Sequence, residues 1–249
     1  MNLRWQQAIV VGASSGIGAA IARQLAGEGC RLALVARREP ELRALAEAIN
    51  RDGPPLATPY PHDVTSYAEV PGLFQHICRE LGGLDLIVYA AGIMPRIGDN
   101  EYTFEKDRHI VDVNVLGAVA WLNEAAQRFE RAGTGTIVGI SSVAGDRGRR
   151  GNPVYCTSKA ALTAYLEAIR NRVGRTGVNV VTIKPGPVDT PMTQGHERLP
   201  LLISAEEAAR QTLAAARRGV PTAYVPRTWQ PIMFALRNIP SRLFRRMNI

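Results

Sequence analysis

Short apolar, β-branched runs alternate with helical patterns along most of the chain, and that alternation leaves few folds open. The runs are Ala8–Val11, Leu32–Ala36, Leu56–Tyr60, Leu84–Ala90, Thr136–Ile140, Val178–Ile183 and Ala223–Val225. Between them lie stretches near 17–28, 40–50, 66–81, 104–131, 154–173 and 204–218, with apolar residues at three- and four-residue spacing. Such short apolar strands are buried on both faces and parallel, because each right-handed crossover lays a helix on one face of the sheet. The pattern predicts an α/β fold built on a single doubly wound, mostly parallel sheet of seven strands with helices on both faces. Ligands bind outside the carboxyl ends of the strands in such a sheet, so the chemistry is expected just after these runs.

Composition narrows the classes. With 249 residues, 46% hydrophobic and 21% charged, the chain suits one large-cored domain, expected over 1–226, followed by a basic, apolar tail at 227–249. Cys30, Cys78 and Cys156 are far apart and no histidines cluster, which argues against a metal site or a disulfide framework and for a reducing, cytoplasmic compartment. Met1-Asn2-Leu3-Arg4-Trp5 shows no secretory pattern, and no apolar run is long enough to span a bilayer. The net charge of +8 is mostly arginine and invites a nucleic-acid reading. The basic residues are scattered, however, and no nucleic-acid motif accompanies them, so no nucleic-acid partner is expected.

Gly12-Ala13-Ser14-Ser15-Gly16-Ile17-Gly18 joins the first strand to the first helix. Gly12 permits a tight turn, Gly16 admits a pyrophosphate close to the backbone, and Gly18 allows close packing of helix on strand. The helix N-terminus turns free N–H groups and the positive end of its dipole toward phosphate. The loop thus marks 1–226 as dinucleotide-binding. The second strand ends Val35-Ala36-Arg37-Arg38, without the carboxylate that a ribose 2′-hydroxyl requires. Arg37 is instead suited to grip a 2′-phosphate, with Ser14 adding a hydroxyl, so NADP(H) is the expected cofactor. The alternative is that both arginines merely open a solvated helix.

Tyr155-Cys156-Thr157-Ser158-Lys159 sits in a helical stretch, where residues four apart share one face. A free phenol titrates near 10, and bringing it toward 7 needs roughly 4 kcal/mol, which a cation beside it can supply.

The GxxxGxG spacing and YxxxK resemble those of the short-chain dehydrogenase/reductase family, with Val11 where the family usually places Thr. The resemblance runs from residue 6 to about 226 and implies roles in order. Asp63 and Val64 correspond to an Asp-Val pair on the adenine, although Asp63 also suits a helix N-cap. Tyr89-Ala90-Ala91-Gly92 resembles the family's Asn-Asn-Ala-Gly with both asparagines replaced, so their structural role is expected to be absent, while Ala91 and Gly92 still admit the ribose. Ser142, 13 residues before Tyr155, matches the catalytic serine. Asn114 matches the helical asparagine that holds a relay water; the plainer reading is a helix kink or a polar core bond. Pro185, Gly186, Val188 and Thr190 fall where the family holds the nicotinamide. Ser14, Ser15, Gly16 and Ile17 complete the cofactor set, with Tyr155 and Lys159 beside it.

The resemblance implies a hydride transfer between nicotinamide and a carbonyl or secondary alcohol. Tyr155 serves as acid or base, Ser142 binds the substrate oxygen, and Lys159 holds the ribose and lowers the Tyr155 pKa. An NAD-dependent alcohol dehydrogenase and a non-catalytic NADP-binding sensor are the alternatives. The family also implies a homodimer or homotetramer through helices 104–131 and 154–173, with Val115, Val119, Trp121, Leu162, Tyr165 and Leu166 on their apolar sides. Cys156 is expected to pack. Asp146-Arg147-Gly148-Arg149-Arg150 either reads an anionic substrate or forms a solvated or subunit-contact loop. The tail, broken by Pro231 and Pro240, is left to a membrane face, a neighbouring subunit or a lid over the substrate.

Overall fold

The computed structural model describes residues 5–51, 53–98, 100–195 and 199–247; the readings on Met1–Arg4 and on the tail's last two residues lie outside these. Seven strands, β1 (Gln7–Val11), β2 (Arg31–Ala36), β3 (Ala57–Pro61), β4 (Leu86–Tyr89), β5 (Gly135–Ile140), β6 (Val178–Pro185) and β9 (Thr222–Val225), form one sheet in the order β3-β2-β1-β4-β5-β6-β9. Every neighbouring pair is parallel. A second, two-stranded sheet pairs β7 (Val188–Asp189) with β8 (Ile203–Ser204), strands too short to leave a periodic signal.

Alternation along each strand builds two cores. Ala8 and Val10 of β1, with Leu32 and Leu34 of β2, face the layer of α1 (Gly16–Gly27), α2 (Glu39–Asn50) and α7 (Ala205–Arg217). Ile9, Val11, Ala33 and Val35 face α3 (Val70–Leu81), α5 (Gly117–Ala132) and α6 (Pro153–Val173). Both faces are therefore dry, as continuous apolar runs require. Trp121, Leu162 and Leu166 lie in this second core. They fill the layer against the sheet, so of the six residues read as an oligomer face only Val115, Val119 and Tyr165 stay partly exposed.

The stretch read as one helix from 104 to 131 is three segments. α4 (Phe104–Val111) passes into a wide π-helical turn at Asp112–Leu116 before α5 begins. The Tyr89 hydroxyl, fully buried, donates to the Val113 carbonyl in that turn at 2.7 Å. Tyr89 therefore supplies a structural bond at the position where the loss of asparagine was expected to leave none. Gly117 makes room for it, since a Cβ there would lie 2.6 Å from the Tyr89 oxygen. Tyr89→Phe should destabilise the fold by about 1 kcal/mol, the worth of a buried hydrogen bond. A urea titration checks this, and an unchanged midpoint would show that the bond contributes nothing.

The tail forms α8 (Trp229–Asn238) and α9 (Ser241–Phe244). Pro231 does not break α8, because it sits in the first turn, where backbone N–H groups have no helical partner; Pro240 does separate the two helices. α8 lies on the segment after β5, where Trp229 and Met233 pack with Val143.

Candidate active site

The strand order reverses between β1 and β4, and a cavity of about 970 Å³ opens there along the carboxyl ends of the strands. It is roomy for a small-molecule site. Gly12, Ser14, Ser15, Gly16, Ile17 and Gly18 line one end with Arg37, Asp63 and Val64; Ala91 and Gly92 line the middle. Ser142, Tyr155, Lys159, Pro185, Gly186, Val188 and Thr190 line the other end. Asn114 does not reach the cavity wall.

The glycine loop is held by Gly12 N–H and Ala13 N–H, both donating to Val35. Gly12 has φ +91°, and a Cβ there would lie 2.4 Å from the backbone of Ala91, so the loop packs directly on the end of β4. No side chain caps the N-terminus of α1 and no acid lies in its first turn. Its amides are thereby left to an anion, which fits a pyrophosphate.

Two arginines flank the glycine-loop end of the cavity. Arg37 pairs with Asp63 at 3.5 Å. Arg38, which sequence reasoning passed over, turns back to the glycine loop and donates to Ser14 Oγ at 2.9 Å and Ser15 Oγ at 2.6 Å. The signal was the Arg-Arg pair itself, which does not say which member folds back. Asp63 accepts from the Thr65 amide and hydroxyl, a local turn rather than a helix cap. Burial pushes its carboxyl up, but Thr65 and Arg37 outweigh burial and hold it below the usual value.

At the far end, Ser142 lies two residues beyond β5 and caps a 3-10 turn at Val143–Asp146 by accepting from the Ala144 amide at 3.0 Å. That bond occupies a lone pair and leaves the hydroxyl proton free to donate. Ser142 and the Tyr155 phenol line the same end of the cavity. Burial raises the Tyr155 pKa above 10, while Ser142 and the Arg149 guanidinium pull it down. The Lys159 ammonium lies 5.8 Å from the Tyr155 ring centroid and donates to the Ile140 carbonyl at 3.0 Å. Burial brings Lys159 itself down to about 8.

Asn114 is fully buried behind this group. Its Oδ1 accepts from Ile93 N–H, and its Nδ2 donates to the Ile93 carbonyl and to Ser158 Oγ, which in turn donates to the Tyr155 carbonyl. Its side chain thus makes the polar core bonds of the plainer reading, and ties the loop after β4 to the helix of Tyr155.

Asn152 and Trp229 were also missed. Asn152 caps α6 by accepting from Tyr155 N–H and donates to the Pro95 carbonyl. An Asn-Pro pair ahead of a helix is a readable cap signal. Trp229 comes from the tail; a Cβ on Gly186 would lie 2.0 Å from its Nε1, so the bare backbone at 186 lets the indole close the cavity. Cys156 packs with Ala144 and Met94. Among the described residues no cluster of acids, histidines and cysteines has metal-binding geometry.

The geometry has relatives. The profile of short chain dehydrogenases matches residues 6–199. An uncharacterised oxidoreductase of Staphylococcus haemolyticus is 33% identical over 78% of this chain and 82% of its own length. One from Mycobacterium tuberculosis is 30% identical over 97% and 96%. A solved structure described as a short chain dehydrogenase/reductase family protein superposes with a TM-score of 0.79 at 29% identity, covering 90% of this chain and 97% of that one. With a seven-stranded parallel sheet, a glycine loop at its switch point and a Ser-Tyr-Lys group across the cavity, this chain belongs to the short-chain dehydrogenase/reductase family of oxidoreductases.

Proposed function

We propose that the protein is an NADP(H)-dependent oxidoreductase acting between a carbonyl and a secondary alcohol. The observation that carries this reading is the convergence of the Ser142 hydroxyl, a buried Tyr155 phenol and a buried Lys159 ammonium on one wall of the cavity. When bound, the nicotinamide supplies or accepts the hydride. Ser142 donates to the substrate oxygen and holds it at the phenol. Tyr155 gives that oxygen its proton in reduction and takes it back in oxidation. Lys159 holds the ribose hydroxyls and adds positive charge that favours the phenolate. Asn114 acts as a positioning residue through Ile93 and Ser158. Gly186, Val188 and Thr190 are placed to hold the carboxamide end.

Arg37 and Arg38 favour NADP(H) over NAD(H), because two guanidinium groups and no unpaired acid face that end of the cavity. Charge-assisted hydrogen bonds are worth about 1.5–3 kcal/mol each, so NADPH should bind at least about tenfold more tightly than NADH. Arg38→Ala should remove about tenfold of the NADPH affinity and leave NADH nearly unchanged. Fluorescence titration with both cofactors reads this directly; equal affinities in the unmodified protein would overturn the NADP(H) assignment. The reaction itself is tested by a panel of carbonyls, lipid-like and anionic ones included, screened for NADPH oxidation. Assembly into a homodimer or homotetramer forms part of the same proposal, supported by exposed Leu116 beside half-buried Val115 and Val119.

A further inference from the structure

The tail helix α8 is apolar on two sides, and only one of them is used. Its inner side, Trp229, Met233 and Leu236, packs with Val143 and Tyr224 and closes the cavity. Arg147 fastens it there by donating to the Leu236 and Arg237 carbonyls and stacking 3.8 Å from the Phe244 ring centroid. The outer side carries Pro231, Ile232, Phe234 and Ala235 with no charge, and Phe234 is 72% exposed. Leu243 at 55% and Met247 at 42% exposure extend the apolar surface beyond Pro240. A contiguous exposed apolar face of this kind normally marks a contact surface.

The charges around this surface say by what. Residues 227–249 hold five arginines and no acidic residue. Arg227, Arg242, Arg245 and Arg246 are exposed. A tail-to-tail contact between two copies would set each copy's five guanidinium groups against the same five, with no carboxylate on either tail to offset them. An anionic bilayer offers both terms at once, hydrocarbon for Phe234, Ile232 and Leu243, and phosphate for the arginines. No helix among the described residues is long and apolar enough to cross a membrane, so the contact lies on the surface. We propose that the outer face of α8 and α9 docks on an anionic lipid bilayer. The substrate cavity then lies one helix diameter, about 10 Å, from the lipid. This inference is independent of the cofactor and of the hydride chemistry.

The test is co-sedimentation of the full chain with vesicles of phosphatidylglycerol mixed into phosphatidylcholine, against phosphatidylcholine alone. Each arginine near the surface contributes about fivefold, so binding to the anionic vesicles should fall at least about tenfold on moving from low to high salt. Phe234→Glu should reduce it at least about tenfold at low salt, with the thermal midpoint unchanged because Phe234 is exposed. Arg245→Gln with Arg246→Gln should weaken binding to anionic vesicles. If the protein stays in the supernatant at low salt, the proposal is overturned. It is overturned as well if the two vesicle types bind alike, or if Phe234→Glu binds as the unmodified chain does. Light scattering in which Phe234→Glu splits a larger assembly, with no vesicle binding by the unmodified chain, assigns the face to a second copy and ends the lipid proposal.

Discussion

Tyr155→Phe is expected to lower carbonyl reduction by about 10²–10⁴-fold, the usual loss when a general acid is removed. The substitution is clean in this site. The ring keeps its packing against Ala144 and Cys156. Its backbone amide keeps the Asn152 cap, and Ser142 keeps the Ala144 bond that fixes its rotamer. Only the phenolic hydroxyl goes. NADPH affinity should therefore stay within about twofold while kcat falls, a split that distinguishes lost proton transfer from a disturbed pocket. Single-turnover rates with any active carbonyl decide the point. A variant that reduces every substrate at the original rate would mean that the proton comes from elsewhere.

The second large effect lies one turn away. Asp146 Oδ1 meets Lys184 Nζ at 2.5 Å, and its Oδ2 accepts from the Tyr224 hydroxyl at 2.6 Å. The two side chains of the ion pair are 2% and 8% exposed. Burial first, then the Asp146 carboxylate, push the Tyr224 hydroxyl up to about 12, so it stays a donor at neutral pH. Asp146→Ala would leave a buried ammonium and a half-buried hydroxyl without their acceptor. Breaking a buried pair from one side costs about 3–5 kcal/mol, which in a domain of this size lowers Tm by on the order of 10 °C. Thermal unfolding measures it, and Asp146→Asn, which keeps an acceptor for Tyr224, should lose less. A Tm unchanged within about 2 °C would show that the pair adds nothing net. Because Asp146 ends the turn that Ser142 caps, activity should fall before global unfolding as the turn loosens.

What the sequence made legible was whatever is written in local period or local motif. Alternation in β1 and β2 assigns Ala8 and Val10 to one layer and Ile9 and Val11 to the other, and the structure obeys it. The glycine loop and the Ser142, Tyr155 and Lys159 spacing located one cavity wall each, since strand ends of a doubly wound sheet converge. Less legible were contacts that depend on where a side chain turns. Arg37 and Arg38 are adjacent and chemically identical, and only the start of α2 decides that Arg38 meets Ser14 and Ser15. Tyr89 was read as a lost asparagine because its partner, the Val113 carbonyl, is 24 residues away. Trp121 and Leu166 looked available for a subunit contact because an apolar residue carries no mark of which neighbour covers it. Trp229 reaches the cavity only because Gly186, some 40 residues earlier, has no side chain.

The wide turn at Asp112–Leu116 has a further consequence, for chain length rather than residue type. Such a turn takes in one residue beyond the α-helical count, and one residue is about 100° of rotation. It works as a phase shifter between two helices on one axis. Upstream, its own Asn114 must face Ile93 and Ser158; downstream, Trp121, Leu122 and Ala125 must face the sheet. Both sets of contacts are made with the wide turn in place. Deleting a single residue here should restore an ordinary helical turn and rotate Asn114, which lies inside the turn, away from Ile93 and Ser158. The residue count between positions 110 and 118 is therefore as binding on this protein as the identity of its tyrosine.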